Sequence, residues 1–266
     1  MKVPEKIKLV TPISHLFNNS EHAINIEKYS DQLEARERTA DLRFKNTTHY
    51  HIDFDLNLGL KESQKEFLYA KVRNRPEIHT LTFQMTRDTE EYEILDGKFH
   101  PKGYFVDKKD QLKRTKASIK TIKDIVGRDR SIGIENNNYY KTGAYDIATS
   151  SKFINEVIKE CDAHLLLDIA HAKVTCKNKK INLDSYINEM VEDISCKQMH
   201  LCEPSERVFG GIVETYDAHL IPTPESIKDA IRICNNLKIN NLTVEYYKNQ
   251  EKLINCLRTI KKIINN

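Results

Sequence analysis

The sequence contains no apolar run approaching 18 residues and no signal-peptide pattern from Met1 to Lys6. The first absence excludes a helical membrane span, and the second leads us to expect a cytoplasmic protein. No C-x-x-C pair occurs. The six cysteines, Cys161, Cys176, Cys196, Cys202, Cys234 and Cys256, are scattered. That spacing fits reduced thiols on apolar helix faces better than disulfides or a zinc–thiolate site. There is no long basic block, and the formal net charge is only +3, so nucleic acid is not an expected partner. No internal repeat, domain linker or low-complexity segment interrupts the chain, and residues 1–266 are read as one domain. With 39% hydrophobic and 30% charged residues, the composition is that of a globular chain with a charged exterior. Its length allows a sizeable core.

What is present is a series of short apolar strands alternating with amphipathic helices. The clearest strand is Leu165-Leu166-Leu167, an apolar run of the kind buried in parallel sheets. It stops at Asp168, and His171 follows three residues later. A carboxylate at the end of a buried strand is costly unless it is paired or bound to a metal. Residues 49–55 alternate strictly, with Tyr50, Ile52 and Phe54 on one side and His49, His51, Asp53 and Asp55 on the other. Further strands are expected over 7–11, 40–44, 77–85, 131–135, 198–202 and 242–245. Helical stripes lie between them, such as Leu112, Ile119, Ile122 and Val126, or Ile227, Ala230, Ile231 and Cys234. About eight strand–helix alternations predict a single (β/α)8 barrel. The polar stretch 86–108 reads as a lid or substrate loop. Residues 203–220 read as a loop whose Gly210-Gly211 pair is a candidate for closure over the site.

Carboxyl ends of barrel strands form the active face. Strand after strand offers a metal-capable side chain there: His51, His79, Glu135, Asp168 with His171 beyond it, His200 and Glu245. The loop before the last helix pair adds Asp217 and His219. A single strand-end histidine or carboxylate is most simply a hydrogen-bonded structural residue. Recurrence at the same place in successive strands is what points to metal. Nitrogen and oxygen donors suit iron, manganese or zinc. The donors exceed the needs of one ion, so two or three ions are expected. His49, Asp53 and Asp55 are weaker candidates on the His51 face. His15, His22, His100 and His164 have no such setting and are expected at the surface. Tyr139 and Tyr140 either face substrate or cover the rim.

These segments, in order, resemble a known family. Glu135-Asn136 after an apolar strand, Leu166 to Ala172, Met199-His200-Leu201, Asp217-Ala218-His219 and Val244-Glu245 are similar to the multinuclear non-haem iron-dependent oxidative enzymes. Those are xylose-isomerase-like TIM barrels. The resemblance implies that His51, His79, Glu135, Asp168, His200, Asp217, His219 and Glu245 bind two or three irons. It leaves His171 either as a third-metal ligand or as a donor behind the ligands. Glu135, Asp168 and His171 are the candidates closest to the chemistry. The implied reaction is dioxygen-dependent oxidation of a ribosomally made precursor peptide, often at cysteine; a separate recognition protein for that peptide is left open. One departure stands out. The family often has a Gly-rich segment after the histidine of the second-last strand, where this chain reads Leu201-Cys202-Glu203-Pro204. Rival readings are a metal-dependent sugar isomerase or epimerase, a multi-zinc phosphodiesterase of the same barrel class, and a peptide-binding barrel without catalysis.

Overall fold

Short β-branched and leucine-rich segments, each followed by a helix with one apolar face, have a single economical arrangement: strands inside, helices outside. The computed structural model describes residues 6–209 and 211–265 and has that arrangement. Gly210 of the glycine pair lies outside the described residues.

Among the described residues, twelve strands occur in chain order: β1 Lys8–Pro12, β2 Gln32–Arg36, β3 Thr47–Asp55, β4 Thr80–Gln84, β5 Tyr92–Leu95, β6 Lys98–Pro101, β7 Ser131–Glu135, β8 His164–Asp168, β9 Cys196–Leu201, β10 Glu203–Phe209, β11 Ile212–Leu220 and β12 Asn241–Val244. Eight of them close a parallel barrel in the order β1-β12-β9-β8-β7-β4-β3-β2. The chain is therefore a (β/α)8 TIM barrel. Among the described residues, no helix is long and apolar enough to cross a membrane.

Period-2 alternation sorts the strand residues. Tyr50, Ile52 and Phe54 of β3 join the apolar core between barrel and helices, as do Leu165 and Leu167 of β8. Each such side chain contributes roughly 1.5–3 kcal/mol by burial. Helix Lys108–Val126 buries Ile119, Ile122 and Val126 against this layer; Asp107 caps its start by accepting the Asp110 N–H, and Gly127, at φ +106°, ends it. The barrel interior is unusually polar. Glu34, His49, His51, Glu135, His164, Asp168, Gln198, His200 and Thr243 are all buried.

Several expectations are corrected. The second barrel strand is Gln32–Arg36, not 40–44. The 86–108 stretch is not irregular: β5 and β6 form a hairpin, braced where Asp88 accepts the N–H groups of Ile147 and Ala148. Residues 203–220 form a second hairpin, β10–β11. A Lys98–Glu214 ion pair of 2.7 Å ties the two hairpins together. His164 is not at the surface; it is buried in the lower barrel, where burial pushes its pKa down to about 3. Gly133 makes room for it, since a Cβ there would meet His164 Nε2 at 2.6 Å.

Candidate metal centre

The segment that begins the site is β8 and the helix Ile169–Lys179 that follows it without a loop. Asp168 performs two tasks there. Its Oδ1 caps the helix by accepting the His171 N–H at 2.7 Å. Its Oδ2 is buried with no hydrogen-bond partner. Asn136, just past β7, fixes the backbone on either side of this carboxylate: its amide donates to the Asp168 carbonyl (2.9 Å) and accepts the Asp168 N–H (2.8 Å). The Asn136 carbonyl lies 2.8 Å from His171 Nδ1. That contact places the proton on Nδ1 and leaves Nε2 facing Asp217 Oδ2 at 3.4 Å and Asp168 Oδ2 at 3.8 Å.

His200 sits at the centre. Its Nδ1 lies 3.0 Å from Glu135 Oε1, 3.3 Å from Glu245 Oε2 and 3.9 Å from Asp168 Oδ2, yet it makes no hydrogen bond. Its Nε2 lies 3.2 Å from Glu34 Oε2 on β2. A carboxylate behind a histidine, holding its other nitrogen, is how ligating histidines are commonly oriented. Gln198 donates to the same Glu34 oxygen and to Thr243. Glu245 Oε1 accepts from Arg36 and from the Tyr247 hydroxyl, each at 2.7 Å. Its other oxygen is thereby left for the cluster. His51, whose Nδ1 contacts Thr82 Oγ1 at 2.9 Å, points Nε2 toward Glu135 Oε2 at 3.5 Å.

Among the described residues, three donor groups result, each with donor atoms mutually within 4.8 Å: Glu135, Asp168, His200 and Glu245; His51, Glu135 and His200; and Cys202, Asp217 and His219. The first two share Glu135 and His200, and the two oxygens of Glu135 face different imidazoles, Oε1 that of His200 and Oε2 that of His51. The buried Glu135 Oε2, Asp168 Oδ2 and His200 Nδ1 have no hydrogen-bond partner. Such orphaned atoms are costly, and a divalent cation at their convergence would satisfy all three. The donor set fits a metal.

The protonation pattern agrees. Burial pushes Asp168 up to about 6, against the pull of His171. Burial works against a charged His200 and His171, but the carboxylates facing them, Glu34 and Glu245 for one and Asp168 and Asp217 for the other, hold both imidazoles well above the ordinary histidine value. Burial likewise opposes ionisation of Glu34 and Glu245, and Arg36 overrides it, keeping both carboxyls below the usual range. Protons and one guanidinium thus neutralise a cluster of carboxylates that a metal would otherwise neutralise.

The structure brings together His51, Glu135, Asp168, His171, His200, Asp217, His219 and Glu245. It does not bring in His79. That residue is exposed and precedes β4, with its N–H on Thr48 O at the amino end of the barrel. The site-facing end of β4 is Gln84, whose Nε2 lies 3.3 Å from His51 Nε2. Sequence reading missed Glu34, Arg36 and Gln84. Asp53 lies at the rim, 3.4 Å from His51, whereas Asp55 turns away to pair with Arg87. His49 is buried beside Glu34. Tyr140 is buried, and its hydroxyl lies 3.5 Å from the Asp217 N–H, so it supports the hairpin. Asp217 and His219 belong to β11, and the hairpin carries them over the barrel mouth.

Solved structures with this fold include a D-tagatose 3-epimerase-like protein (13% identity, TM-score 0.64, covering 97% of this chain and 98% of that one). A 3-keto-D-glucoside 4-epimerase from E. coli is similar at 12% identity and TM-score 0.60, covering 97% and 100%. Endonuclease IV from Thermus thermophilus follows at 10% identity and TM-score 0.58, covering 97% and 99%. At such identities the likeness is one of fold. No curated protein sequence matches the chain significantly. The family model described as RiPP precursor modification enzyme MbnB/TglH/ChrH matches residues 105–263, more than half of the chain. The matched span carries every residue of the cluster from Glu135 to Glu245. The barrel with its convergent donors is thus one member of a known group: the chain belongs to the MbnB/TglH/ChrH family of RiPP precursor modification enzymes.

Proposed function

We propose that this protein oxidises a residue, often cysteine, of a ribosomally made precursor peptide, using dioxygen and two or three irons held by the donor groups above. The observation that carries the metal part is the buried cluster of orphaned polar atoms around Glu135, whose Oε1 faces His200 and whose Oε2 faces His51. Family membership supports the peptide substrate. His51, Glu135, Asp168, His200 and Glu245 would hold the inner ions, with Asp217 and His219 above them. Zinc or manganese would suit the same donors. A redox-active metal bound there would supply the electron transfer and dioxygen activation that no side chain provides.

The chain's own contribution is positional. Asn136 fixes the Asp168 backbone and the His171 tautomer. Glu34 orients His200. Arg36 and Tyr247 hold one oxygen of Glu245, so the carboxylate presents a single oxygen inward. The two hairpins, joined by Lys98–Glu214, wall the mouth on the side of β11 and limit water there. His171, at the junction of Asp168 and Asp217, is placed to hold or release a proton at Nε2 as substrate enters.

The test is oxygen uptake by iron-loaded protein with its precursor peptide. Stoichiometric oxygen consumption with a mass change on the peptide is expected. Turnover of a sugar under anaerobic conditions, or peptide modification indifferent to oxygen, would overturn the reading.

A further inference from the structure

The six cysteines are all buried and free, but they do not share one environment. Cys161, Cys176, Cys196, Cys234 and Cys256 pack within the apolar core. Cys202 does not. It is fully buried at the point where β9 leaves the barrel for the hairpin, immediately after His200-Leu201. Its Sγ lies 3.9 Å from Asp217 Oδ1, and it forms one donor group with Asp217 and His219. That group shares no member with the two groups built on Glu135 and His200. An ion held by it is therefore an additional ion, and not a second description of the same one.

We propose that Cys202 is a protein sulfur ligand, forming with Asp217 and His219 a mixed sulfur–oxygen–nitrogen position for a thiophilic divalent metal at the root of the β10–β11 hairpin. The proposal deepens the metal reading above and rests on it. The two oxygens of Asp217 divide between neighbours: Oδ1 faces the buried Cys202 Sγ at 3.9 Å, while Oδ2 lies 3.2 Å from His219 Nδ1 and 3.4 Å from His171 Nε2. Three protein donors with one position left open is the pattern of a catalytic rather than a purely structural metal. A thiolate ligand favours zinc, cobalt or ferrous ion over magnesium or calcium, unlike the carboxylate–imidazole groups below it. Binding converts the thiol to a metal thiolate and releases one proton to solvent, with no change in oxidation state.

Cobaltous ion is the probe. Metal-free full-length protein is titrated with it, and absorption and bound cobalt per chain are recorded. The wild type is expected to develop a thiolate-to-cobalt charge-transfer band in the near ultraviolet. Cys202→Ser, confirmed folded by circular dichroism, should lose that band and one equivalent of cobalt. Glu135→Ala should keep the band while losing cobalt from the lower groups. Cobalt bound by the wild type without the band, or a band that survives in Cys202→Ser, would overturn the proposal and leave the inner metal groups standing. Failure of the wild type to bind any cobalt would remove both. Because the wild-type spectrum alone can refute the idea, the outcome does not depend on the variant folding.

Discussion

Glu135→Ala is expected to lower bound metal to no more than one ion per chain and to abolish peptide modification. Glu135 ends β7, is buried, and belongs to both inner donor groups. Its Oε1 lies 3.0 Å from His200 Nδ1 and its Oε2 lies 3.5 Å from His51 Nε2. Among the described residues, no other faces both imidazoles in this way through two separate oxygens. Substitutions behind metal ligands already weaken affinity by about 10–100-fold, so removal of Glu135, which we propose as a ligand shared between ions, should exceed that range. Glu135→Gln is the sharper version. It keeps the volume but gives one face of the bridge an N–H2 group, which repels a cation. Elemental analysis of purified variants is the measurement; unchanged metal content would remove Glu135 from the ligand set.

Arg36→Met is expected to destabilise the metal-free protein by about 3–5 kcal/mol, the usual cost of leaving buried charge uncompensated. One guanidinium nitrogen contacts both Glu34 Oε1 and Glu245 Oε1 at 2.7 Å. Both carboxylates are almost wholly buried, so both lose their strongest counter-charge at once and keep the His200 imidazole as the one they share. The pH dependence follows from the sign of the shifts. Arg36 holds both carboxyls below their ordinary value of 4.5. Their contribution is therefore fully present above that value and is lost as pH falls through the depressed folded-state values. In Arg36→Met the carboxylates must take up protons or share the single His200 imidazole between them. The gap between wild type and variant should thus be widest near neutrality and narrow below pH 4.5. Added divalent metal should recover part of the loss, because a cation replaces the missing charge. Thermal melts across pH, with and without metal, would show this. A gap independent of pH would mean that Arg36 acts through packing alone.

The residues that the barrel brings together were mostly legible through one rule, polar side chains at the ends of buried strands. Glu135, Asp168 and Glu245 follow short apolar runs, His200 follows Met199 in a short strand, and His51 stands in a strictly alternating strand. His79 shows where the rule failed. β4 begins one residue after it, at Thr80, so the histidine sits before the strand and the same strand's site end is Gln84. The Glu34–Arg36 pair was missed because Gln32-Leu33-Glu34-Ala35-Arg36 has only two apolar residues, and propensity argues against a buried strand. The tertiary partners Gln198, His200 and Glu245 satisfy its charges, and no local pattern encodes them. The alternation of Leu33 and Ala35 with polar neighbours was nevertheless the same signal that identified residues 49–55. Cys202 reads in the sequence as one buried thiol among six. Its charged surroundings come from the β10–β11 hairpin, whose segments show no clear strand period.

The multinuclear centre is tested most directly by metal positions in a crystal of the protein as isolated, located by anomalous scattering at the edges of iron, zinc and manganese. The expected result is more than one ion per chain, with one among Glu135, Asp168, His200 and Glu245 and another reached by the opposite oxygen of Glu135 beside His51. A map with no anomalous peak within bonding distance of Glu135, or with a single ion bound elsewhere, would contradict the multinuclear centre and the oxidative function built on it.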